Sequence, residues 1–192
     1  MTHARSALAR AGAVVFALVF ATAVAGLTPT PAQAADRTAI VNQAFNQLNM
    51  DSHNHEIGGY NCNFYTSYFG AGSASCSNGW RSEEWCADFA HFVWGYEGVA
   101  YASELNAAAY SFYSYGVRHG TWHGGNLSGI QPGDVIVWGL NTSTGYAQHV
   151  AIYVGNSEVI SGNAGPNDTQ VYEQLTSSLN SVMPVSGYSS PV

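Results

Sequence analysis

Cys86 lies in the stretch WCADFAHFVW, residues 85–94, among aromatic and small side chains. A thiol becomes a nucleophile when its pKa is lowered and a base takes its proton. A helix N-terminus supplies partial positive charge, and an imidazole supplies the base. The competing reading is a small apolar filler, because unpaired cysteine is among the most buried residue types. The choice depends on which histidine can meet it. His91 follows five residues later and, on a helix, points elsewhere. His53 and His55 sit in the polar run DSHNHE, and His119 and His123 in VRHGTWHGGN. His149 opens the apolar run HVAIYVG directly after a loop, the position of a polar residue at the rim of a sheet. Cys86 with His149 is the pair to weigh, a nucleophile and its base if they meet, against a histidine that is merely hydrogen-bonded at the sheet rim.

These two residues need a helix and a sheet to hold them. Ser82 is an expected N-cap, Glu83 and Glu84 suit a first turn, and an apolar pattern runs to Gly98, which puts Cys86 in the first or second turn. Glu83, if it points inward, opposes thiolate formation. An earlier helix is expected from DRTAIVNQAFNQLNM with Asp36 as N-cap, and a later one over Ser103–Tyr115 ended by Gly116. Between the first two, residues 51–81 read as a long irregular segment that needs pinning. The short runs DVIVW, HVAIYVG, EVISG and TQVYEQ are β-rich, and NTSTGY reads as a hairpin loop between the first two. Helices first and an antiparallel sheet second is an α+β pattern.

Residues 1–34 carry a basic start with Arg5 and Arg10, an apolar core and an Ala32-Gln33-Ala34 end. They read as a secretory signal peptide cut after Ala34, leaving residues 35–192 as one domain and a secreted product without a membrane span. Three arginines and no lysine then face twelve acids, a formal charge of −9. Such a balance argues against non-specific binding to nucleic acid or anionic membranes. Three cysteines, Cys62, Cys76 and Cys86, allow three pairings, among which the sequence does not choose. Joining Cys62 to Cys76 closes a loop worth about 3 kcal/mol of chain entropy and leaves Cys86 free.

Pro132-Gly133-Asp134 leading into a β run, then HVAIYVGN, with WCADF on a preceding helix, resembles the CHAP family, the cysteine, histidine-dependent amidohydrolases/peptidases. NCNFYTSYFG also resembles the segment before the cysteine in secreted members, so the likeness spans residues 61–165. The layout is similar to that of NlpC-type wall peptidases, whose motif reads Asp-Cys-Ser, whereas Trp85-Cys86-Ala87 fits the CHAP pattern better. The resemblance implies a papain-like fold, with N-terminal helices packed on a C-terminal antiparallel sheet. It also implies a cysteine peptidase or amidase acting on peptidoglycan, Cys86 as nucleophile, His149 as general base and acid, and Asn163 as the group orienting the imidazole. Many members carry Glu two positions before that Asn; here the position is Ser161. Asn163 is equally readable as a turn residue of Gly162-Asn163-Ala164-Gly165.

The backbone N–H of Cys86, at a helix start, is the natural first oxyanion donor. No cofactor is required by this chemistry. DSHNHE could suggest a metal site at Asp51, His53, His55 and Glu56, but without cysteine or HExxH spacing it reads as a solvated loop. YSFYSYG could line a sugar groove, although its helical spacing favours core packing. Trp138 is expected near the site without reacting. Two other function classes remain: a binding module that keeps the fold with weak or no turnover, and a transferase passing the thioester to an amine.

Overall fold

The computed structural model describes residues 35–192, and the expected signal peptide lies outside them. Asp36 caps the first helix as its side chain suggests, Oδ1 accepting from the Ala39 amide at 3.0 Å. Helix α1 then runs Arg37–Leu48 and buries Ile40 and Ala44. The segment expected to be irregular holds a short strand β1 (Cys62–Asn63), helix α2 (Phe64–Phe69) and strand β2 (Arg81–Ser82). Asn63 starts α2 by accepting the Thr66 amide at 2.8 Å on its side chain, a cap the composition of the loop concealed. A disulfide joins Cys62 to Cys76, with Cα atoms 5.7 Å apart, and Cys86 is free.

Helix α3 (Cys86–Tyr96) begins four residues after the expected cap. Ser82 is drawn off by sheet pairing: its backbone bonds to Ser73 in both directions, and it stands opposite Cys62 in the β1–β2 ladder. Helix α4 spans Tyr110–His119 and ends on Gly120 at φ 70°, past the expected stop. Gly116 lies inside it, where a side chain would collide with Ser189. A 3₁₀ turn at Ala102–Glu104 takes up the first part of the expected helix.

The sheet contains β3 (Trp122–Gly124), β4 (Val135–Trp138), β5 (His149–Gly155), β6 (Glu158–Ala164), β7 (Gln170–Leu175) and, beyond the short helix α5 (Thr176–Asn180), β8 (Val185–Ser189). Its order is β3-β8-β4-β5-β6-β7, antiparallel throughout. The four expected β runs are all present, while β3 and β8 were not foreseen. The architecture is α+β. Alternation along the strands divides the core between two faces. Val135, Val137, Val150 and Ile152 face the helices with Phe89, Val93 and Trp94. Ile136, Trp138, Ala151 and Val159 face a smaller cluster with Leu179 and Tyr188. Arg37 ties α1 to the turn before β4 through the buried Asp134 carboxylate at 2.6 Å. Among the described residues no helix is long and apolar enough to cross a membrane.

Candidate active site

Cys86 is the first residue of α3, and His149 is the first residue of β5. The first turn of α3 comes close to β6 because the strand offers no side chain there. A Cβ at Gly162 would stand 2.5 Å from the Trp85 ring and 2.7 Å from Phe89 Cβ, so glycine is what lets α3 approach so closely. Trp85 is locked in turn. Its Nε1 donates to Glu56 at 3.1 Å, and its ring stacks on Tyr65 at 5.6 Å. The residue before the thiol is thus an anchor in the core.

Cys86 and His149 open on one cavity of about 950 Å3, which Asn163, Glu84, Asp168 and Tyr110 also line. Both are nearly buried, at 7% and 8% exposure. The backbone N–H groups of Val150, next in chain to His149, and of Ala87 lie on the Cys86 sulfur's side and favour its charged form. The Ala87 amide belongs to the first turn of α3, where N–H groups have no intrahelical partner.

The helix start does not make a resting thiolate. Burial pushes the Cys86 thiol up to about 11, aided by the Glu84 and Asp88 carboxylates and only partly offset by the Val150 and Ala87 amides. Burial likewise holds His149 down to about 4. Both shifts favour a thiol and a neutral imidazole at neutral pH, on one cavity and with no hydrogen bond between them.

His149 Nε2 lies 3.1 Å from Ser161 Oγ, and Ser161 is fully buried. With Nε2 donating to that hydroxyl, Nδ1 is the basic nitrogen. Asn163, expected to reach the ring, does not bond to it. Its Nδ2 donates instead to Glu84, and its Oδ1 is buried without a partner among the described residues. The cause is local: Asn163 has φ 51°, and the β6–β7 register shifts between Ser161 and Ala164. The strand is bulged at that point, and the side chain is re-aimed.

No protein-family model matches the chain, and no curated protein sequence does. Solved structures similar to it are NlpC/P60 proteins. One is NlpC1 from Trichomonas vaginalis, 18% identical with TM-score 0.46, covering 82% of this chain and 45% of its own. A second is an NlpC/P60 family protein from Bacillus cereus, 15% identical with TM-score 0.49, covering 82% and 40%. A third is the NlpC/p60 domain of the peptidoglycan hydrolase SagA, 18% identical with TM-score 0.46, covering 79% and 97%. The chain thus spans less than half the length of the first two. No activity passes to it from these structures.

Glu84, Glu56 and Ser161 are the residues that sequence reasoning did not assign to the site. Glu84 accepts from Asn61 at 3.1 Å and from Asn163, joining the segment before α2 to β6. Glu56 accepts the Asn61 amide at 2.7 Å as well as the Trp85 indole. Two carboxylates beside a lone tryptophan and two asparagines give no periodic signal, so only the fold reveals them. The DSHNHE run does not converge on one point. His53 stacks on Phe64 at 3.5 Å, and His55 pairs with Asn54. In YSFYSYG, Phe112 and Tyr115 are core residues as expected, whereas Tyr110 lines the cavity. Trp138 stands 6.0 Å from the His149 ring.

Proposed function

We propose that residues 35–192 form the catalytic domain of a secreted cysteine amidohydrolase or endopeptidase of the CHAP type, acting on amide bonds of peptidoglycan. The observation that carries the reading is the shared cavity. An unpaired cysteine at a helix start and a histidine at a strand start open on it together. The similar SagA domain is itself named as part of a peptidoglycan hydrolase.

Because the resting pair is neutral, attack and proton transfer go together. His149 Nδ1 takes the thiol proton as Cys86 Sγ bonds to the amide carbonyl carbon. The carbonyl oxygen gains charge that helix-start amides stabilise, with the Cys86 N–H as the first donor. The same proton passes to the leaving amine as the C–N bond breaks, leaving a thioester. Water, deprotonated by His149, hydrolyses the thioester and restores the thiol. Ser161 orients the ring; a hydroxyl fixes the tautomer but does not stabilise imidazolium as a carboxylate would. Asn163, with its unpartnered Oδ1, is the group that meets substrate rather than His149. Glu84 and Asp168 line the cavity without a lysine or arginine beside them, a field that favours an amino group on the substrate.

A second reading, a CHAP-fold binding module with little or no turnover, is favoured by the deeply buried, protonated thiol. Amine release from purified peptidoglycan, with Cys86→Ala as control, decides between them. The hydrolase reading expects new amino groups that vanish in the variant. Equal release from both proteins, or none from either, leaves the binding module.

A further inference from the structure

A second concavity lies away from the Cys86 cavity, between α1 and the C-terminal half of α3. It encloses about 540 Å3 and is lined by Gln43, Asn46, Gln47, Phe92 and Tyr96, with His53 among the remaining residues. None of its lining residues is an acid, a lysine or an arginine, and burial lowers the pKa of His53, so the groove is neutral.

Its polar groups are built in rather than scattered on the surface. Gln43 and Gln47 are only 6% and 3% exposed. Gln43 Oε1 accepts from Asn46 at 3.4 Å, and Gln47 Oε1 accepts from the Tyr65 hydroxyl at 3.1 Å. Both carbonyls are thereby oriented, and His53 Nδ1, at the same groove, is buried without a hydrogen-bond partner among the described residues. A buried polar atom without a partner is costly, so the His53 nitrogen at the wall of a neutral groove calls for a polar group on a ligand. Beside them Phe92 and Tyr96 stand 5.9 Å apart, with Phe92 buried and the Tyr96 ring 67% exposed.

Oriented planar amides next to an exposed ring suit a ligand with hydroxyls at its edge and C–H bonds on its face. We propose that this groove is a binding subsite for a neutral saccharide. A peptide fits less well: its charged ends would find no counter-charge, and the groove is walled by two helices, with no strand edge to pair with. The lining argues the saccharide class by itself; the wall glycan as its source rests on the hydrolase reading. Cys86 stands six residues up the same helix from Phe92, about 9 Å along its axis, and the groove and the thiol are held by one rigid element.

The test titrates the full chain with N,N′,N″-triacetylchitotriose, followed by calorimetry and amide chemical shifts. Saturable binding is expected, unchanged in Cys86→Ala and weakened about tenfold or more in Tyr96→Ala, a loss of roughly 1.4 kcal/mol or more. Asn46→Ala, at an exposed position, serves as a second variant and should also weaken binding; melting curves verify that both fold. No saturable binding overturns the proposal, as does binding that Tyr96→Ala leaves intact. So does binding abolished by Tyr146→Ala, which belongs to the other cavity, or capture of trialanine in place of the saccharide. Saccharide binding without any wall hydrolysis removes the hydrolase reading and keeps the groove. Hydrolysis without saccharide binding does the reverse.

Discussion

His149 Nε2 and Ser161 Oγ meet at 3.1 Å across the β5–β6 hairpin, on side chains that are both buried. The pair Ile152–Ile160 sets the register, and its simple continuation puts Asn163 opposite His149. The left-handed Asn163 breaks that continuation, and the hydroxyl two residues earlier becomes the partner of the ring.

Removing that hydroxyl should therefore act on catalysis. Ser161→Ala is expected to cost about 1–3 kcal/mol of transition-state stabilisation, roughly a 5- to 150-fold fall in kcat. Asn163→Ala should act mainly on KM, because its amide meets Glu84 and the cavity rather than the imidazole. Steady-state rates on a soluble stem-peptide fragment separate the two; a kcat collapse in Asn163→Ala with Ser161→Ala unaffected would reverse the assignment.

The thiol should titrate late. With Cys86 pushed up to about 11, its alkylation by iodoacetamide should rise about tenfold per pH unit above neutrality. A plateau already reached below pH 7 would mean a resting thiolate–imidazolium pair. Because burial holds His149 down to about 4, the acid limb of kcat/KM should fall near pH 4 rather than near the ordinary imidazole value.

Stability should respond to pH through a carboxyl pair beside the site. Glu83 Oε1 and Asp88 Oδ1 are both buried without a hydrogen-bond donor, and Thr66 donates to the other Asp88 oxygen at 2.7 Å. Burial and the Asp88 charge raise Glu83 to about 7, and burial raises Asp88. A folded pKa above the unfolded one means that stability present at low pH is lost as pH climbs through about 7. Asp88→Asn supplies an N–H to Glu83 and keeps an acceptor for Thr66. Melting temperatures between about pH 4.5 and 8 should be flatter in the variant and higher at pH 8.

His91 and His149 carry the opposite sign. Both are held down to about 4 by burial, so the unfolded chain takes up protons from about pH 6.5 while the folded one does not. Stability should fall as pH drops from 6.5 towards 4. His91 stacks on Phe69 at 4.0 Å and its Nδ1 is unpartnered, so His91→Phe should reduce that fall. An unchanged acid profile in the variant would assign the loss elsewhere.

Gly162→Ala tests the close approach of α3 to β6. The added methyl would press on Trp85 and Phe89 at 2.5–2.7 Å, both fully buried, and overpacking of this kind costs about 1–3 kcal/mol or more. Lower stability together with lower activity is expected, because any retreat of the helix carries Cys86 with it. Calorimetry with rate measurements on the folded fraction separates the two effects.

Much of the frame was legible in the chain itself. Asp36 marked the first helix because a short acidic side chain before an apolar 3.6-residue period has one good use. DVIVW, HVAIYVG, EVISG and TQVYEQ became β4 to β7 because β-branched runs between glycines and asparagines suit a buried sheet. Ser82 misled, since its capping side chain was outweighed by backbone pairing with Ser73 and Cys62. The strands β3 and β8 escaped notice because WHG and VSGYS are short and broken by glycine, and they gain strand form only from their neighbours.

By itself the sequence determined the candidate chemistry: an odd cysteine, a histidine at the head of an apolar run, and a loop whose two cysteines are close enough in chain to join. Residue types and local spacing suffice for that. The tertiary structure alone decided the surroundings of Cys86 and the partner of His149. The first depends on burial and on carboxylates brought in by packing, which act against the local field of the helix start. The second depends on one left-handed residue in β6, which turns Asn163 to Glu84 and leaves the imidazole to Ser161.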